Sequence, residues 1–117
     1  EEAAFYSLRG RIYRAKENLD KAAADFDKAA SLYPEMFTYQ LHSGLNALEL
    51  NNYDKAREHL SQANQVVPTS IAYLRLGDVA VKQGKRQEAI QYYSTAAEAG
   101  GEVAEEAKRK LAQLTQN

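Results

Sequence analysis

From Ala3 to Lys16 the large apolar residues fall three and four apart, at Phe5, Leu8 and Ile12 with Tyr6 and Tyr13 beside them. That spacing predicts a helix ending at the polar stretch Lys16-Glu17-Asn18. A second helix is predicted from Asn18 to about Leu32. Asn18 can accept a free backbone N–H at its start, Asp20 suits the positive dipole end, and Pro34 stops it. Its inward stripe is Ala22, Phe26 and Ala29, one large residue between two small ones that let helices approach closely. The same pattern then recurs. A helix over about 37–50 carries Leu41, Gly44, Leu45 and Leu48, the polar pair Asn51-Asn52 breaks it, and a helix over about 53–66 carries Ala56, Leu60 and Ala63.

The recurrence has a fixed period. Gly44, Ala56, Ala63 and Pro68 stand 34 residues after Gly10, Ala22, Ala29 and Pro34, and Gly77, Ala89 and Ala96 stand 33 after Gly44, Ala56 and Ala63. One residue is therefore missing from the third copy. Pro34 precedes Gly44 by ten residues and Pro68 precedes Gly77 by nine, which places the loss at the entry to the third copy's first helix. Gly100-Gly101 ends that copy where the others have Pro, through φ freedom instead of a missing donor. The tail from Glu102 to Leu114 predicts a seventh helix, with Val103, Ala107, Leu111 and Leu114 on one stripe and acids leading bases as the helix dipole favours. Stacked repeats leave an apolar face open at the last copy, and this helix is expected to cap it.

At 117 residues, 44% hydrophobic and 26% charged, the chain has the composition of one globular domain. It contains no run near the roughly 18 apolar residues of a membrane span. A formal charge of −1 offers no field for phosphate backbones, so nucleic acid is not an expected partner. With no Cys there are no disulfides, thiolate metal sites or Cys nucleophiles, although the lack of Cys fits cytosol and periplasm equally. The chain begins Glu-Glu-Ala-Ala without an initiator Met or a basic-then-apolar leader, as an excised piece of something longer would.

A 34-residue helix–turn–helix period with large-x2-Leu-Gly-x2-Tyr, then Ala, an aromatic, Ala and Pro resembles the tetratricopeptide repeat. The third copy fits at its start through Tyr73, Leu76, Gly77 and then Gly84, Ala89, Tyr93 and Ala96; the first fits from Gly10 through Tyr13, Ala22, Phe26, Ala29 and Pro34. The second departs most, with Gln40 and Ser43 where a large aromatic and Leu are expected. The resemblance implies an all-α, right-handed α-solenoid over 1–117, with repeats at 3–36, 37–69 and 70–101 and the capping helix at 102–117. In FYSLRGRIY, VVPTSIAYLRLGDVA and YYSTAAEAGG the chain also resembles the C-terminal repeat module of bacterial envelope zinc metallopeptidases of the HExxH type. That resemblance implies a periplasmic setting and an upstream protease domain, while the chain itself has no HExxH.

In the tetratricopeptide arrangement the first helices of the pairs line a concave groove. The resemblance implies a non-catalytic module that binds a protein or peptide segment there, through Arg11, Arg14, His42, Leu45, Leu48, Arg75 and Asp78. The family's carboxylate clamp of Lys, Asn, Asn, Lys and Arg falls on Ser7, Arg11, His42, Ile71 and Arg75, and only Arg75 matches. Recognition of an acidic chaperone tail is accordingly not expected. Arg11 and Arg14, three apart on one face, could hold ligand carboxylates or form an ordinary solvated face. Leu45 and Leu48 could anchor apolar ligand groups or pack on neighbouring helices, and His42 could switch charge near neutral pH or simply line the groove. His59 is expected on the surface. The two histidines, 17 apart, have no acid at recurring ligand spacing, and no strained nucleophile turn or Gly-rich phosphate loop is present, so neither metal, cofactor nor catalytic site is expected. Two rival functions remain on the sequence: an accessory domain docked in cis on an upstream catalytic domain, and self-association through Val103, Leu111 and Leu114 or through the open face of the first copy.

Overall fold

The computed structural model describes residues 1–116. It contains seven α-helices: α1 (Glu2–Ala15), α2 (Leu19–Leu32), α3 (Phe37–Glu49), α4 (Tyr53–Val66), α5 (Ser70–Lys82), α6 (Arg86–Ala99) and α7 (Ala104–Thr115). No strand occurs among the described residues, so the expected all-α helical repeat fold is the one the chain adopts. α3 begins three residues beyond Pro34 and α5 two beyond Pro68, which locates the deleted residue in the entry turn.

Each turn inside a helix pair is built alike. Glu17, Asn51 and Gly84 adopt φ of 63°, 63° and 73°, the left-handed region in which a helix ends and a new one starts within two residues. Asn18 and Asn52 then cap the second helices, accepting from the backbone N–H of Lys21 and Lys55. Lys85 stands at the matching place and supplies no side-chain cap. The glycines of α1, α3 and α5 mark where the paired helices touch. A Cβ on Gly10 would lie 2.8 Å from the ring of Phe26, one on Gly44 2.7 Å from Leu60, and one on Gly77 2.4 Å from the ring of Tyr93. Any side chain there would force the pair apart, which is why the period preserves glycine.

The residues form two compact units, Glu1–Val67 and the chain from Pro68 onward. In the first unit α1 packs on α2, α2 on α3 and α3 on α4. Its core is Ala22, Phe26, Ala29, Ala47, Ala56, Leu60 and Ala63, all buried. Phe26 and Leu60 are fully enclosed, and burying each contributes about 1.5–3 kcal/mol. In the second unit α5 and α7 flank α6, around Leu74, Ala80, Ala89, Tyr93, Ala96 and Ala107. Val103, Leu111 and Leu114 pack on that core from α7, and the exposed side of α7 carries Glu105, Lys108, Arg109 and Gln113. The tail helix is therefore a solvating cover for its unit, and its apolar stripe is already occupied. Among the described residues no helix is long and apolar enough to cross a membrane.

Candidate functional site

The most chemically loaded surface of the first unit lies where α1 and α3 run side by side. Arg11, Arg14, Leu19, His42 and Glu49 line a cleft of about 680 Å³ there. Arg14 reaches across with both guanidinium nitrogens, donating from Nε and Nη2 to Glu49 at 3.0 Å each. This pair is partly solvated, with side-chain exposures of 33% and 47%, so it is worth no more than about 1 kcal/mol. It can open at little cost. Arg11 is exposed and has no carboxylate partner among the described residues. His42 stacks on Phe26 with ring centroids 5.5 Å apart, and its buried Nδ1 has no hydrogen-bond partner. Burial, then the charges of Arg11 and Arg14, hold the His42 imidazole below its ordinary pKa. It is a neutral ring beside two cations at neutral pH. Leu45 and Leu48 are half-buried on the same helix and do not line this cleft.

The second helix pair carries polar residues at buried α3 positions, Gln40, Ser43 and Asn46. Gln40, at the place of Tyr6 and Tyr73, is buried; its Nε2 donates to the Pro34 carbonyl at 3.0 Å and its Oε1 lies 2.7 Å from His59 Nδ1. His59 is thus half-buried and bonded, not the free surface residue expected, because Gln40 opens a polar lane for it. Ser43 Oγ donates to Asp27 at 2.8 Å, and Lys55 pairs with the other oxygen of the same carboxylate, so one acid on α2 ties α3 and α4 together. Asn46, fully enclosed, donates from Nδ2 to the Leu19 carbonyl at 3.0 Å. Sequence spacing pointed to Gln40 and Ser43 only as departures; their side-chain partners His59 and Asp27 lie 19 and 16 residues away and carry no local signal. Arg9 is also committed inward, forking onto the buried Asp25 at 2.8 and 2.9 Å while its guanidinium lies 5.1 Å from the ring centroid of Phe5.

In the second unit Arg75 and Asp78 belong to one ionic network with α7. Arg75 Nη1 donates to Asp78 at 2.8 Å and to Glu106 at 3.2 Å. Lys110 donates to Asp78 at 2.9 Å and lies 3.0 Å from Glu106, and the Tyr93 hydroxyl donates to Asp78 at 2.5 Å. Burial alone would raise the Asp78 carboxyl, but the donors Tyr93, Lys110 and Arg75 outweigh it and hold it below the usual carboxylate range. The Lys110 hydrogen bond does the same for Glu106. Both Arg75 and Asp78 are therefore engaged within the unit. Glu106 and Lys110, which pair with them, gave no sign in the sequence of doing so. Among the described residues no cluster of three or more His, Cys, Asp or Glu is placed to hold a metal ion.

Paired helices recurring every 34 and then 33 residues, a glycine at the close approach within each pair and a polar cover helix define a helical-repeat protein. Two tetratricopeptide repeat models match the chain, one over residues 41–104 and one over 3–36, and the chain belongs to the tetratricopeptide repeat family. The BBSome complex member BBS4 of Bos taurus is 33% identical over 93 residues, 79% of this chain and 18% of that protein. Among solved structures, the MamA protein superposes with a TM-score of 0.90 at 23% identity over 99% of this chain and 63% of that one. The first such domain of Spaghetti (RPAP3), bound to the HSP90 peptide SRMEEVD, superposes at 0.89 with 19% identity over 98% and 91%. The chain thus spans about a fifth of BBS4 and under two thirds of MamA.

Proposed function

We propose that this chain is a non-catalytic interaction module that binds a polypeptide segment on the face where α1 and α3 present Arg11, Arg14 and His42. The observation that carries the reading is the combination at that cleft: a guanidinium at Arg11 with no carboxylate partner among the described residues, a shallow ion pair at Arg14, and the half-buried His42 ring lining the cleft with them. Rigid helices hold all three in place, so the receptor loses little freedom when a ligand seats. A ligand carboxylate would take Arg11 and compete with Glu49 for Arg14, with the His42 ring lining the cleft beside them. The peptide-bound Spaghetti (RPAP3) domain, of the same fold, supports a peptide as the class of ligand. Leu45 and Leu48 add apolar contact on α3.

The test starts with crosslinking capture and mass spectrometry to identify the segment, followed by calorimetric titration of a synthetic copy. Arg11→Glu combined with Arg14→Glu is expected to weaken binding at least about tenfold, as loss and reversal of charge-assisted bonds does, with helicity retained by circular dichroism. Unchanged affinity removes the site assignment.

A further inference from the structure

The charges around the cleft are ordered along α1. Toward the start of that helix the groove is lined by uncharged residues, Ser7, Leu8, Thr38 and Tyr39, as far as Arg11 and His42. Beyond Arg11 come Arg14 with its partner Glu49 and then, just past the helix end, Glu17. Glu17 is exposed and has no cationic partner among the described residues. Its backbone is also left-handed at φ 63°, a conformation filled by Asn51 and Gly84 in the other two turns and poorly suited to a glutamate. A carboxylate is thus kept at the lip of the cleft in a turn that would fold better without it.

Two cations, Arg11 and Arg14, and two anions, Glu17 and Glu49, therefore line one cleft, and their formal charges cancel. A run of acids seated on Arg11 would press like charge against Glu17 and Glu49, and a run of bases would meet Arg11 and Arg14. A lone acid that competes for Arg14 would leave Glu49 without its cation. An acid followed by a base avoids all three costs: the acid takes the arginines, and the base takes the carboxylates that the arginines release. Arg11 and Glu17 are six residues apart along α1 and its turn, about 9 Å at the helical rise, which an extended chain covers in about three residues.

We infer that the ligand of this cleft is a segment of mixed charge, with one acidic side chain on Arg11 and Arg14 and one basic side chain, about three residues away, on Glu17 and Glu49. This rests on the peptide-binding reading and adds the class of segment that the cleft takes.

Selection of a random displayed peptide library on the immobilised 117-residue chain is expected to enrich peptides with an acid and a base about three residues apart, over peptides with runs of acids. In calorimetric titration of a synthetic copy of an enriched peptide, replacing its base by glutamine should weaken binding at least about fivefold, the size of one partly solvated ion pair. On the Glu17→Gln with Glu49→Gln variant, its helicity checked by circular dichroism, the same replacement should change nothing. Enrichment of acidic runs without a base, or an equal effect of the replacement on both chains, overturns this inference and leaves the peptide-binding reading standing. Enriched peptides that bind the Arg11→Glu with Arg14→Glu variant as tightly as the native chain, or no enrichment at all, overturn both.

Discussion

The ring of Tyr93 stands so close to Gly77 that a Cβ on that glycine would meet three ring carbons at 2.4 to 2.9 Å. Tyr93 cannot retreat, since its hydroxyl is bonded to Asp78 at 2.5 Å. Gly77→Ala is therefore expected to destabilise the chain by about 2 kcal/mol: overpacking of about 3 kcal/mol less the roughly 1 kcal/mol that alanine returns in helix propensity. Gly10→Ala meets Phe26 only at 2.8 Å and should cost less. Urea denaturation of the two variants checks the order, and equal losses would refute the anchored-ring explanation.

The turns offer changes in the stabilising direction. Glu17 holds φ 63°, a conformation that costs a residue with a Cβ about 1–2 kcal/mol. Glu17→Gly should raise the denaturation midpoint and Gly84→Ala, at φ 73°, should lower it. Lys85 starts α6 without a side-chain cap, and Lys85→Asn copies Asn18 and Asn52. A gain of about 1 kcal/mol is expected, and no gain would mean that the turn cannot orient the new cap.

The buried Gln40–His59 pair gives a test by double-mutant cycle. Gln40→Leu strands the His59 ring nitrogen and His59→Leu strands the Gln40 carbonyl, so each single change should cost about 1–3 kcal/mol. The double variant should cost less than the two losses together, because no polar atom of the pair is then left without its partner. Strict additivity measured by chemical denaturation would show that the two side chains do not depend on each other.

Stability should also fall on mild acidification. His42 and His59 both lie below the ordinary imidazole value of 6.5, His42 through burial and then Arg11 and Arg14, His59 through burial that outweighs Asp27 and Glu58. A base whose folded pKa is depressed binds fewer protons folded than unfolded, so its contribution is complete above 6.5 and is lost as pH falls from there through the folded value. Thermal midpoints measured between about pH 7.5 and about pH 5 should decline, and the slope should flatten in His42→Gln with His59→Gln. Asp78 and Glu106, both depressed carboxyls, add a further loss only below the ordinary carboxylate range. A profile identical in wild type and the double variant would contradict the histidine assignment.

The chain's own letters decided the helices, their ends and their pairing. Phe5 to Ile12 set a helical period, Asn18 announced a cap that the structure shows bonded, and the 34-residue recurrence of Gly10 at Gly44 marked equivalent contacts. Those features are legible because each depends on residues within a turn or two, or on a repeat that copies the same environment. Tertiary structure alone decided the partners: Glu49 for Arg14 across 35 residues, Asp27 for Ser43 and Lys55, Glu106 and Lys110 for Arg75 and Asp78. Which charges stay free depends on the neighbouring helix and the angle at which long side chains meet. Arg11 stays unpaired where Arg14 finds Glu49, because hydrogen bonds are set by distances of a few tenths of an ångström that no one-dimensional pattern encodes.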